Sequence, residues 1–158
     1  MAAITSVQDT INVLNAIFEK HKNNRICVLG TTCCGKSTLH EQIPETVDMD
    51  EELWPRLSRE EEAYICMKPW TKEIGEFTQR LVKERVTVKA GHPIFSLILL
   101  ECEVIVYLDI SDELLAEHCK KRGSSFQDAK NVKEAIENTW NSQRKNKNLV
   151  FYHLNITE

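Results

Sequence analysis

The sequence predicts a three-layer α/β sandwich on a five-stranded parallel sheet, with an extra helix ahead of the first strand. Short, β-branched apolar runs alternate along the chain with longer segments of helical period, the pattern of successive right-handed β-α-β units. The first such unit joins a nearly all-apolar run to a helix through a loop with a glycine at each end. With 158 residues, 42% hydrophobic and 28% charged, the chain has the length and composition of one compact core, and no linker, repeat or low-complexity stretch divides residues 1–158.

Residues Ser6 to Lys22 set Val7, Ile11, Leu14, Ile17 and Phe18 three and four apart, which predicts an amphipathic helix closed by Asn23-Asn24. This helix either caps the core or forms a contact in a homodimer. Arg25-Ile-Cys-Val-Leu-Gly30 reads as a central strand covered on both faces. The residues Thr38 to Ile43 then suit a short helix, which Pro44 stops. Thr46-Val-Asp-Met-Asp50 predicts a short second strand ending in acid. Ser58-Arg-Glu-Glu61 has the form of a capping box for a helix around Glu60 to Met67, and Thr71 to Glu84 carries Ile74, Phe77 and Leu81 on one face. Val86-Thr-Val-Lys-Ala90 is expected to be the third strand, broken by Gly91-His92-Pro93 before a short apolar helix, Ile94 to Leu100. Glu103 to Asp109 is the fourth strand, and Ser111 caps a helix running to Arg122. After Gly123-Ser-Ser comes a helix from Asp128 to Lys145 with Val132, Ile136 and Trp140 at four-residue spacing, and Leu149 to Leu154 supplies the fifth strand.

Charge and cysteine usage narrow the setting. Twenty basic against 24 acidic residues give a net charge of -4, which argues against a polybasic surface for nucleic acid or anionic lipid. No apolar run approaches the roughly 18 residues of a membrane span. Six scattered cysteines without C-x-x-C spacing, in a chain long enough to build a core unaided, fit a reduced, cytoplasmic protein better than a disulfide framework or a zinc site.

The most informative segment is Gly30-Thr-Thr-Cys-Cys-Gly35-Lys36-Ser37, the complete G-x-x-x-x-G-K-[ST] pattern, placed after a buried strand and before a helix as that pattern requires. Its glycines let backbone N–H groups converge on phosphate, and the following helix adds the positive end of its dipole. Gly30, Thr31, Thr32, Cys33, Cys34, Gly35, Lys36, Ser37 and Thr38 are therefore the expected nucleotide-binding residues, with Lys36 reaching the β- and γ-phosphates and the Ser37 hydroxyl ligating Mg²⁺. Local binding of this kind is how a protein of net negative charge holds an anion. Cys33 and Cys34 are either thiols activated by the helix end and Lys36 or small residues tolerated at variable positions.

Asp48-Met-Asp50 closes the second strand at the edge where open α/β sheets bind ligands. Residues two apart in an extended segment point the same way, so both carboxylates are expected to address one site. An acidic surface turn is the competing reading, since Glu51 and Glu52 follow.

In this combination the chain resembles the P-loop small-molecule kinases, the group of shikimate, gluconate and adenylylsulfate kinases and the nucleoside and nucleotide kinases, within the P-loop NTPase type of fold. Gly30 to Ser37, the Asp48-x-Asp50 pair, the break Ala90-Gly91-His92 after the third strand, and Val104 to Asp109 leading into a helix that ends Lys120-Lys-Arg122-Gly123 carry the resemblance, which spans roughly residues 25 to 155. It implies Mg²⁺- and ATP-dependent phosphoryl transfer to a small acceptor, with Asp48 assisting the metal, Asp50 holding the acceptor hydroxyl, and Arg122, helped by Lys121 or Arg144, covering the transferring group. The chain departs from the family pattern at Cys33, where many members carry a further glycine, in a glycine loop reduced to Gly91, in the short segment Gly123 to Asp128, and in the compressed step from Lys36 to Asp48. Those departures keep a second class in view: a regulatory nucleotide-binding protein, or an NTPase, with little or no acceptor phosphorylation. Asn146-Lys147-Asn148-Leu149 lacks the acid of a guanine-reading N-K-x-D segment.

For the acceptor, Arg56, Arg59, Lys68 and Arg80 offer guanidinium or ammonium groups for an anion, and Trp54, Tyr64 and Trp70 offer rings for a nucleoside. Each is also an ordinary solvated charge or packed ring. His92 lines the site or is a turn residue, and Asp109 faces the ligand edge or caps the next helix.

Overall fold

A computed structural model of the chain describes residues 7–67 and 71–156. Its five strands form one all-parallel sheet in the order β2-β3-β1-β4-β5, with helices on both faces. The elements are α1 (Val7–Lys20), β1 (Ile26–Leu29), α2 (Lys36–Gln42), β2 (Val47–Asp48), α3 (Met49–Leu53), α4 (Arg59–Ile65), α5 (Lys72–Arg85), β3 (Ile94–Ser96), β4 (Val104–Ile110), α6 (Asp112–Arg122), α7 (Phe126–Gln143) and β5 (Val150–Ile156).

β1 is central because all four of its side chains are apolar and find cover on both faces. Alternate residues diverge into two cores. Ile26 and Val28 join Val104, Val106 and Leu108 under α1, α2 and α6, where Leu14, Leu39 and Leu115 pack. Cys27 and Leu29 join Ile105 and Tyr107 under α3, α5 and α7, where Leu53, Leu81 and Ile136 pack. At the start of the strands Arg25 fixes the β1/β4 register, giving its amide and Nε to the Glu103 carboxylate at 2.8 Å each and receiving the Glu103 and Val104 amides on its carbonyl.

The N-terminal helix lies against the first of these cores, burying Thr10, Ile11, Leu14 and Ile17, and His21 Nε2 is hydrogen-bonded to the Tyr152 hydroxyl of β5 at 2.8 Å. Of its two expected roles, the structure shows the packed one. The Ser58 capping box is present with both of its bonds. All six cysteines are free, and among the described residues no helix is long and apolar enough to cross a membrane.

The structure corrects the third strand. Residues 86–90 form no strand; Val86 and Val88 are buried, but the segment ends in a tight antiparallel bridge between Lys89 and His92, with Gly91 at φ 82°. The third strand is Ile94-Phe95-Ser96, where a short apolar helix was expected. Its three side chains are all buried, and the Val47 amide bonds the Pro93 carbonyl at 2.8 Å to start the β2/β3 ladder. The break Ala90-Gly91-His92 therefore precedes the third strand rather than following it. A second correction concerns the acidic pair: the chain leaves the extended conformation at Met49, so Asp50 stands in the first turn of α3 and not two places along a strand from Asp48.

Strand order matters for the site. From β1 the chain passes over β3 to the edge strand β2, whereas β4 lies on the other side of β1. The C-terminal end of β1 is thus a topological switch point, the place where crossovers diverge and leave a crevice. The Gly30–Ser37 loop begins there.

Candidate functional site

The loop is held shut by contacts that demand small or left-handed residues. The Gly30 amide donates to the Ser96 carbonyl at 3.2 Å, and a Cβ on Gly30 would stand 2.6 Å from Cys34 Sγ and 3.4 Å from Leu108 Cβ, so a side chain has no room. The Cys34 amide closes a turn onto the Thr31 carbonyl at 3.3 Å, and the Thr31 hydroxyl donates to the Ala129 carbonyl of α7 at 2.5 Å. Cys33 and Gly35 both have positive φ, 67° and 106°. Left-handed residues at 33 and 35 turn the intervening peptide units over, the kind of backbone that makes anion-receiving concavities. Cys33 thus adopts the conformation that glycine adopts most cheaply.

Lys36 opens α2 and folds back over the start of the loop. Its Nζ donates to the Gly30 and Thr31 carbonyls at 2.6 and 2.7 Å, which holds the ammonium inside the ring of backbone. Ser37 and Thr38 follow in the first helical turn, with amides that have no intrahelical acceptor.

The two acids stand close enough to Lys36 to feel its charge. The Asp48 carboxyl is raised above the usual range, first by desolvation, then by repulsion from Asp50 and Glu51, with His40 and Lys36 pulling the other way. The Asp50 carboxyl is also raised, chiefly by desolvation, and Lys36 is the main attraction opposing it. Although Asp50 is exposed by surface area, the protein packed around its carboxyl outweighs that exposure as a cause. The extended geometry expected for the pair is absent; both carboxyls lie within reach of the Lys36 charge, whose Nζ bonds the loop carbonyls.

Beside the loop lies a cleft of about 430 Å³ whose walls include Val7 of α1, Ser37 and Thr38 of α2, and Lys121 and Arg122 of α6. Arg122 is therefore brought to the loop as expected, on a helix that Gly123 ends in a left-handed cap at φ 65°. Asp50 does not line this cleft.

Other expected residues are placed elsewhere. Arg144 follows the end of α7, about 15 residues beyond the Ala129 contact with the loop, hence roughly 22 Å away at 1.5 Å per residue. It lies toward the starting edge of the strands and is not a partner of Arg122. His92 precedes β3 on that same distant edge, its Nδ1 3.2 Å from the Glu45 carbonyl. Asp109 does not cap α6, which Ser111 does; it stands at the C-terminal end of β4, the ligand edge, where it accepts from the Tyr107 hydroxyl at 3.3 Å and pairs with His153 Nε2 at 2.9 Å.

Of the acceptor candidates, Arg56 donates to the Glu52 carbonyl, Arg80 stands over the Phe77 ring at 5.3 Å, Tyr64 meets the same ring edge-to-face at 5.0 Å, and Arg59 is exposed at the start of α4. Trp54 is 44% exposed, and its amide donates to the Asp50 carbonyl, which sets the indole one helical turn beyond Asp50. Lys68 and Trp70 lie outside the described residues.

The sequence did not single out one residue that bonds the loop. His118 of α6 lines the cleft, and its Nδ1 lies 2.7 Å from the Cys33 carbonyl. Its only signal was its spacing, four residues ahead of Arg122 and so on the same face of the helix. No protein-family model matches the chain, and no curated protein matches it.

Proposed function

We propose that this protein is a Mg²⁺- and ATP-dependent phosphotransferase of the P-loop NTPase type that acts on a small acceptor bearing a hydroxyl or phosphate. The observation that carries the reading is Lys36: one ammonium sits within the glycine-bounded loop and is electrostatically linked to both Asp48 and Asp50. Arg122 adds a second cation across the adjoining cleft.

In this reading the loop backbone and Lys36 hold the β- and γ-phosphates, and the Gly30–Thr38 segment with the cleft beside it takes the rest of the nucleotide. The Ser37 hydroxyl and the Asp48 carboxylate fit Mg²⁺, which uses one or two protein ligands and fills its octahedron with phosphate oxygens and water. When bound, the ion neutralises charge on the phosphates. Asp50 orients the acceptor hydroxyl and receives its proton; desolvation moves its carboxyl in the direction a proton acceptor needs. Arg122 stabilises charge on the transferring phosphoryl group, where catalysis is mostly positioning and electrostatics.

A second reading, nucleotide binding without transfer, is favoured by the exposure of Asp50 outside the cleft. One experiment separates the two: ADP release from MgATP is measured across a panel of nucleosides, nucleotides and hydroxylated acids, in wild-type and Asp50→Asn protein. A phosphotransferase shows release stimulated by one acceptor class and loses that stimulation in D50N. Binding of MgATP with no acceptor-dependent release supports the second reading and contradicts the first.

A further inference from the structure

The geometry points to His118 as a positioning residue that holds the glycine-bounded loop in its anion-receiving form through the backbone of Cys33. Three facts converge on that residue. Cys33 has φ 67°, a region where an L side chain is strained, so an outside contact must hold it there. Its carbonyl lies 2.7 Å from His118 Nδ1; a carbonyl only accepts, so Nδ1 carries the proton and donates. Its side chain is buried with that of Cys119 in one core, and burial, together with the hydrogen bond the Cys119 thiol gives to Cys33, pushes that thiol up to about 11.

Two successive residues of α6 therefore grip one residue of the loop, by its carbonyl and by its side chain. The same helix carries Lys121 and Arg122 into the cleft. His118 and Arg122 lie one turn apart on one face, so the helix that sets the loop conformation also sets the cations beside it. A glycine at position 33 would need no such support; a cysteine there does.

The inference rests on reading the loop as a phosphate site, and two measurements keep the two ideas apart. The first needs no ligand: backbone carbon chemical shifts of residue 33 report its left-handed conformation in wild type, His118→Ala and His118→Asn. Asn keeps an N–H near the Nδ1 position. The left-handed shift is expected in wild type and H118N and lost in H118A; its persistence in H118A overturns the inference.

The second measurement is a double-mutant cycle on MgATP affinity with His118→Ala and Cys33→Gly. H118A is expected to weaken binding about tenfold when made in the wild-type chain and less than about twofold when made in the Cys33→Gly chain, because glycine reaches the left-handed region unaided. Equal losses in both backgrounds overturn the inference, since a merely structural His118 would cost the same whatever stands at position 33. Absence of MgATP binding by the wild type overturns the phosphate-site reading instead, and the chemical shifts then decide the positioning role.

Discussion

At the scale of single residues the loop depends on one absent side chain. Gly30→Ala would drive a methyl into Cys34 Sγ at 2.6 Å, with Leu108 behind it, an overpacking that costs about 1–3 kcal/mol. The expected outcome is a lower urea midpoint together with loss of MgATP binding; unchanged binding in G30A would mean that the loop's closed form is not what receives phosphate. The acids carry the opposite cost. A carboxyl raised in the folded state binds more protons there than in the unfolded chain, so stability increases as pH falls through the raised range. Removing the charge should do the same at neutral pH. Asp48→Asn is expected to raise Tm by roughly 2 °C while abolishing Mg²⁺-dependent activity, and calorimetry beside a rate assay checks both. What the sequence disclosed here was position tied to spacing: Lys36 and Ser37 open α2 where the motif puts them, whereas Arg122, which only the resemblance singled out, ends α6 beside the cleft. It did not disclose His118, because a donor to a backbone carbonyl 85 residues away leaves no periodicity to read.

At the scale of elements the capped helices were legible, whereas α3 and the third strand were not. Helices with caps announce themselves: Ser58, Thr71, Ser111 and Ser125 each accept a bond from the amide three residues on. The segment Ile94 to Leu100 carries no such punctuation. A continuous apolar run fits a buried strand or a buried helix equally, and Pro93 suits the start of either. Residues 86–90 showed the alternation of a half-buried strand, and Val86 and Val88 are indeed buried, but among the described residues no neighbouring strand pairs with them. The second strand was foreseen, yet its turn into α3 at Met49 was not: the β2/β3 pairing stops at Asp48 opposite Phe95, one residue before β3 ends, and Met49-Asp-Glu-Glu-Leu53 turns into a helix there. The N-terminal helix is a structural element whose removal should be felt at the site: Leu14 is fully buried beneath it, and Val7 helps to wall the cleft. Leu14→Ala is expected to cost about 2–5 kcal/mol, read by urea denaturation, and a cost near zero would show that α1 does not belong to the folded core.

At the scale of the whole molecule, acid should unfold the protein through ion pairs at the sheet's starting edge and between helices. Glu61 is held down to about 2, first by its hydrogen bonds from Arg85, then by the Ser58 amide. Arg25 holds the Glu103 carboxyl below the usual range, and Lys133, followed by Lys130, does so for Asp112. A lowered carboxyl contributes stability that is present above its unfolded value, near 4.5 for Glu, and lost as pH falls through the folded one. Tm is therefore expected to fall steadily between about pH 4.5 and pH 2, opposed by Asp48 and Asp50, and Glu61→Gln should flatten that decline. A Tm independent of pH over that range would refute the assignment.

The net charge of -4 sets the terms for any phosphate ligand: binding must come from the loop amides, Lys36 and the cations of α6, with no help from a basic surface. Titration of MgATP into wild type and Lys36→Ala tests this most directly. The account predicts saturable 1:1 binding to the wild type and roughly a hundredfold weaker binding to K36A, on the order of 3 kcal/mol, with the variant still unfolding cooperatively, at a midpoint lowered by loss of the two Lys36 bonds to the loop carbonyls. Equal affinity of the two proteins, or no binding by either, would contradict it.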